Sequence, residues 1–154
     1  MRAPRRGPKV PPQTDVAKGD SPYYHGGVSD GPDTLHGGQL LVALSNRMVT
    51  LFRDFLGKGP ERCKSYWAGA DLLVIVLDGG YTVAEQTLYD AGQGQAVQDS
   101  RHMLQRTLAS RMKTVVEELS GRTVIAFMSA SHQDPDLSAE LFVLEPEAPD
   151  RAAG

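Results

Sequence analysis

Thr82, Glu85, Gly92, Gly94 and Arg101 fall within one short stretch and offer the arrangement in this chain best suited to holding a charged ligand. Arg101 lies four residues after Val97 and three before Leu104, so its stem enters an apolar helical stripe while its guanidinium needs a partner. Leaving that charge buried and unpaired would cost several kcal/mol. Two kinds of partner satisfy it. One is structural: an ion pair with Glu85 or Asp90, or a stem that snorkels at the domain edge. The other is a small oxyanion such as bicarbonate or phosphate. Arg101 would hold it with paired donors, and the backbone N–H groups of the Gly92–Gly94 break and the helix start that follows would add positive potential. The ligand-binding set is then Arg101, Gly92, Gly94 and Glu85.

A second concentration of polar groups is Ser129, Ser131, His132, Asp134, Asp136 and Glu140. It supports the alternative of a small hydrolase or transferase built on the Ser129–Asp136 hairpin loop. A metal site needs three or four converging donors, whereas this segment has one histidine and lacks both HExxH and EF-hand spacing, so it reads as a turn around Asp134-Pro135-Asp136. Cys63, the single cysteine, has no neighbouring histidine and sits in a strand pattern, where a thiol is inert. Gly57-Lys58-Gly59-Pro60 lacks the GxxxxGK[ST] spacing of a phosphate loop and follows a helix; it reads as a C-cap and turn, with Lys58 as a cation near a helix C-terminus. No catalytic residue, metal or cofactor is expected, and the leading expectation is a non-enzymatic protein.

The elements that position these residues follow from periodicity. Leu41, Leu44, Met48, Leu51 and Phe55 recur at steps of three and four, which predicts a helix over 38–56 that stops at Gly57 and Pro60. The alternating stretch 62–67 and the apolar run 72–77 predict a hairpin. Thr82 with Glu85 three residues on is a capping box that opens a short helix to about Asp90. After the glycine break a long helix carries Val97, Leu104, Leu108, Met112, Val115 and Leu119 on one stripe and ends near Ser120-Gly121. Residues 123–128 and 141–144 predict a second hairpin across the loop 129–138. The order α-β-β-α-α-β-β predicts an α+β two-layer sandwich, a four-stranded sheet of two hairpins with helices on one face. A helix of about 25 residues spans ~37 Å, whereas strands of about seven residues span ~23 Å. The predicted overhang exposes Met112, Val115, Val116 and Leu119, and a homodimer is the expected way to cover them.

The remaining bounds are compositional. The chain has 154 residues and a formal charge of −3, and residues 34–154 hold 11 Lys and Arg against 15 Asp and Glu, so nucleic acid is not an expected partner. Residues 1–35 hold six of the ten prolines and five glycines, which predicts a disordered arm; 146–154 reads as a disordered tail and 36–145 as the single folded domain. The longest apolar run is the six residues 72–77, too short for direct membrane insertion, and a cytoplasmic location is expected.

Taken in order, the helix ending in Gly57-Lys58-Gly59-Pro60, Thr82 with Glu85, Gly92-x-Gly94-x-x-Val97 with Arg101, Ser120-Gly121 before Val124, and Phe142-Val143-Leu144 resemble the MpsC-like family over residues 38–145. The family is named for a component of a bacterial sodium-translocating, membrane-potential-generating system. The resemblance carries over no catalytic residue. It implies an accessory role near a sodium or inorganic-carbon transport system, with a transport protein as partner and peripheral membrane association through it. This chain departs from the short family form by its N-terminal arm and by Ser120 where a threonine is usual.

Overall fold

The computed structural model describes residues 35–147. The arm expected over 1–35 and the tail expected over 146–154 therefore fall almost wholly outside the described residues.

Helix α1 (Gly37–Leu56) buries Leu40, Leu44, Met48 and Phe52. The buried stripe runs at steps of four: it shares Leu44 and Met48 with the expected one and turns to Leu40 and Phe52 at its ends, leaving Leu41 and Leu51 half-buried and Phe55 47% exposed under the guanidinium of Arg111. The helix stops where expected: Gly57 adopts φ 76°, and its N–H donates to the Arg53 carbonyl at 2.9 Å. Strands β1 (Arg62–Trp67) and β2 (Leu72–Asp78) form the first hairpin. Helix α2 (Val83–Asp90) leads into helix α3 (Gly94–Ser120), which Gly121 ends at φ 67°. Strands β3 (Val124–His132) and β4 (Leu137–Leu144) complete the sheet in the order β1-β2-β4-β3, antiparallel throughout. The α+β architecture and its element order are thus as expected.

The second hairpin differs in extent. Most of the expected loop 129–138 is strand: Ser129, Ser131 and His132 pair with Glu140, Ser138 and Leu137. Serines and alanines disguise the strand locally, and cross-strand pairing overrides that weak propensity.

Both central strands alternate. Leu73, Ile75 and Leu77 of β2 face Phe142, Glu140 and Ser138 of β4 on the inner side, where α1 and α3 cover them. Each large apolar side chain sealed here, such as Met48 or Phe142, contributes about 1.5–3 kcal/mol. The overhang expected of α3 does not occur. Met112 and Val116 are 0% exposed, Val115 is 6% exposed, and Leu119 packs on the same core. Helix α1 lies alongside the C-terminal half of α3 and covers what the strands do not reach.

The other face of the sheet is different. Tyr66 of β1, Leu72, Val74 and Val76 of β2, Ala139, Leu141 and Val143 of β4, and Ala126, Met128 and Ala130 of β3 share it by register. No described helix lies over this face.

Candidate functional site

The segment between β2 and α2 draws in side chains from four separate parts of the chain. Gly79 takes φ 66°, and a Cβ there would come 3.0 Å from the Glu61 carboxyl, so the turn requires glycine. The capping box forms as expected: Glu85 N–H donates to Thr82 Oγ1 at 3.2 Å, and Thr82 N–H donates to Glu85 Oε1 at 3.3 Å. Arg101 is 6% exposed. Its Nε donates to Glu85 Oε2, its Nη2 donates to the Gly80 carbonyl at 2.6 Å, and its guanidinium sits 5.0 Å from the Tyr81 ring centroid. One carboxylate thus serves two helices, with Oε1 at the start of α2 and Oε2 on α3. Lys58 Nζ donates to the Tyr81 carbonyl at 3.0 Å.

Asp136, 55 residues beyond Tyr81 in sequence, closes the arrangement. Its Oδ2 accepts from the N–H groups of Gly80 at 2.8 Å and Tyr81 at 2.9 Å, and its own carbonyl accepts from Gly79 at 3.0 Å. Consecutive backbone N–H groups aimed at one point form an anion cradle, and here the chain's own carboxylate fills it. Asp136→Ala leaves two donors without their acceptor and is expected to lower unfolding free energy by about 1–3 kcal/mol. Asp136→Asn, which keeps an acceptor oxygen, is expected to recover part of that loss in urea unfolding.

Arg101 and Glu85 are therefore brought together, and Gly92 and Gly94 are not gathered with them. Gly92 closes α2 at φ 80°. Gly94 opens α3, and its carbonyl accepts from Gln133 Nε2; Arg101 lies seven positions further along the helix, about 10 Å along the axis. Asp90, the other acid considered, accepts from Gln86 at 2.8 Å. The space between Lys58, Gly80, Arg101 and Asp136 is about 10 Å³, room for one water.

The polar hairpin divides by strand parity. His132 Nδ1 lies 2.8 Å from the Pro135 carbonyl, and Asp136 is held in the cradle. Ser131 Oγ donates to Gln105 Oε1 at 3.4 Å on the inner side. Among the described residues no three His, Cys, Asp or Glu side chains come together as a metal-ligand group. Cys63 is half-buried, and burial pushes its thiol up to about 11, with the Ser45 side chain pulling it partly back.

Glu140 is the residue whose position the sequence reading missed. It is 0% exposed at the centre of the sheet, and Gln105 Nε2 donates to its Oε1 at 3.2 Å. Its Oε2 and the Ser129 Oγ across the strand pair are both buried and make no hydrogen bond. Burial raises its carboxyl to about 7, against the opposing pull of the nearby Ser129 hydroxyl and the Gln105 amide. The signal was available: Glu140 is in phase with Phe142 and Leu144, the buried parity of β4. Outside this cluster, α3 and β3 leave a groove of about 420 Å³ lined by His102, Gln105, Arg106, Ala109, Phe127 and Ser129.

No helix among the described residues is long and apolar enough to cross a membrane. No curated protein and no solved structure matches the chain. A family model described as the Na+-translocating membrane potential-generating system (MpsC) matches residues 36–146, a span that runs from just before α1 to just past β4 and takes in Lys58, Glu85, Arg101, Asp136 and Glu140. The chain belongs to the MpsC family.

Proposed function

We propose that this chain is a non-enzymatic accessory or regulatory component of a bacterial membrane system that moves Na+ or inorganic carbon, and that it acts by docking, as a homodimer at the membrane periphery. The observation that carries this reading is the outer face of the sheet, apolar apart from Lys64 and the Arg62–Asp78 pair at one end, which no helix among the described residues covers. The ionisable residues that would serve chemistry or anion sensing are engaged internally: Glu85 and the Gly80 carbonyl hold Arg101, and the Gly80 and Tyr81 N–H groups hold Asp136. A small anion at Arg101 would have to displace one of these contacts. Of the residues the hydrolase or transferase alternative would use, Asp136 is held by the Gly80 and Tyr81 N–H groups and His132 Nδ1 lies 2.8 Å from the Pro135 carbonyl.

A second copy is the occupant we assign to the open face, because two sheets pack face to face with their apolar sides interdigitated. Four strands of about eight residues present roughly 20 by 25 Å. Two such faces would bury about 1,000 Å² in total, the lower end of the range for specific association. The dimer is accordingly expected to be weak and concentration-dependent. Sedimentation velocity should show a monomer–dimer equilibrium in the micromolar to hundred-micromolar range, and Val74→Lys should shift it to monomer by at least tenfold with an unchanged thermal midpoint. A monomer at every concentration would overturn the dimer.

A further inference from the structure

The two edges of the sheet are guarded unequally. Edge strands are normally protected by charge, proline or brevity. β1 is six residues long and carries Arg62 and Lys64, both exposed. β3 is nine residues long, Val-Ile-Ala-Phe-Met-Ser-Ala-Ser-His, without a proline, lysine, arginine or carboxylate. Ile125 is 57% and Met128 53% exposed, and the register irregularity between Val124 and Ala126 is its one protective device. Among the described residues no strand pairs with its outer edge. Beside that edge runs the groove between α3 and β3, with Phe127 and Ala109 as apolar lining and His102 and Arg106 as basic lining. Arg106 is exposed and has no ion-pair partner among the described residues. No carboxylate lines the groove; Glu140, behind Gln105 and Ser129, is sealed from solvent.

An open strand edge alongside a helix-walled groove is the geometry of strand addition, in which main-chain hydrogen bonds hold an extended segment and alternate side chains descend into the groove. We propose that β3 accepts an extended segment of a partner protein as a fifth strand, with an acidic side chain against Arg106 and an apolar one against Phe127 and Ala109. This inference rests on the accessory reading and names the attachment point. Charge selects the occupant. Pairing β3 with its counterpart in a second copy would bring two basic grooves together, at a cost in like-charge repulsion. The chain's own residues 1–34 carry six prolines, which cannot donate to a ladder.

The test uses the full chain with two labelled nine-residue peptides, Val-Thr-Glu-Thr-Val-Thr-Glu-Thr-Val and the same sequence with Lys in place of Glu, so that one strand face carries both the apolar and the charged side chains. Fluorescence anisotropy should show at least a tenfold preference for the Val/Glu peptide. Arg106→Glu should reverse that preference and Arg106→Gln should abolish it, each with a native thermal midpoint. Amide hydrogen exchange should show new protection confined to β3. Equal affinities, protection elsewhere, no β3 protection at millimolar peptide, or β3 amides already protected in the dimer would each overturn the proposal. These outcomes leave the accessory reading standing, because that reading is tested by whether the membrane potential needs this chain at all.

Discussion

Arg101→Ala lowers the unfolding free energy by about 3–5 kcal/mol, the loss expected when one member of a buried ion pair is removed. The figure is large because Arg101 is 6% exposed and joins three structures at once: Glu85 on α2, the Gly80 carbonyl in the junction, and the face of Tyr81. Removing the guanidinium leaves the Glu85 carboxylate with its capping contacts alone. Glu85→Gln makes the complementary test, since it keeps an oxygen for the Thr82 N–H while withdrawing the countercharge from Arg101. Arg101→Lys should fall between, because an ammonium keeps the charge but not the planar fork that reaches Glu85 and Gly80 together. Urea unfolding followed by circular dichroism provides the comparison. A loss below about 1 kcal/mol for Arg101→Ala would mean that the pair behaves as an exposed one.

Glu140→Gln produces the second large effect, and its sign depends on pH. The folded chain holds a proton on Glu140 up to about pH 7, whereas the unfolded chain releases it near 4.5. Folding therefore takes up a proton between those values. The contribution of this group to stability is complete below about 4.5 and is lost as pH rises through about 7. The difference corresponds to about 3 kcal/mol. Above pH 7 the folded protein must keep a desolvated carboxylate beside a hydroxyl that makes no hydrogen bond. Glutamine removes that charge and offers an amide toward Ser129. The variant should thus gain stability over the parent by up to about 3 kcal/mol at pH 8 and by little at pH 4.5. Thermal midpoints recorded in parallel from pH 4.5 to 8.5 check this, and a difference that stays constant across the range would contradict it.

The sequence was legible wherever a local signal decides the structure. Gly57 and Gly121 ended their helices, Thr82 and Glu85 built the cap, and the hairpin of β1 and β2 kept its expected ends to within a residue. Arg101 and Glu85 were legible as a pair because an arginine in phase with Val97 and Leu104 must find a partner within reach. The cradle around Asp136 was not, since its donors at Gly80 and Tyr81 lie more than fifty residues away and no spacing rule connects them. Glu140 escaped for a different reason. A strand begun at Leu141 has no parity to assign to residue 140, whereas one begun at Leu137 places it on the buried side. No overhanging end of α3 calls for a second copy, because a helix end can be covered by another helix of the same chain, as α1 covers Met112 and Val116. The open surfaces, an apolar sheet face and an unguarded edge, became visible once the register was known.

The central claim is that the ionisable core of this protein is structural and that its work is done by surfaces. The most direct test is the Na+-dependent membrane potential of the source cells after the chromosomal copy is replaced by a chain carrying Val74→Lys and Arg106→Glu, with a wild-type thermal midpoint confirmed on the purified protein. The account predicts that the potential collapses to the level seen without the protein. A potential equal to that of the parent would contradict it.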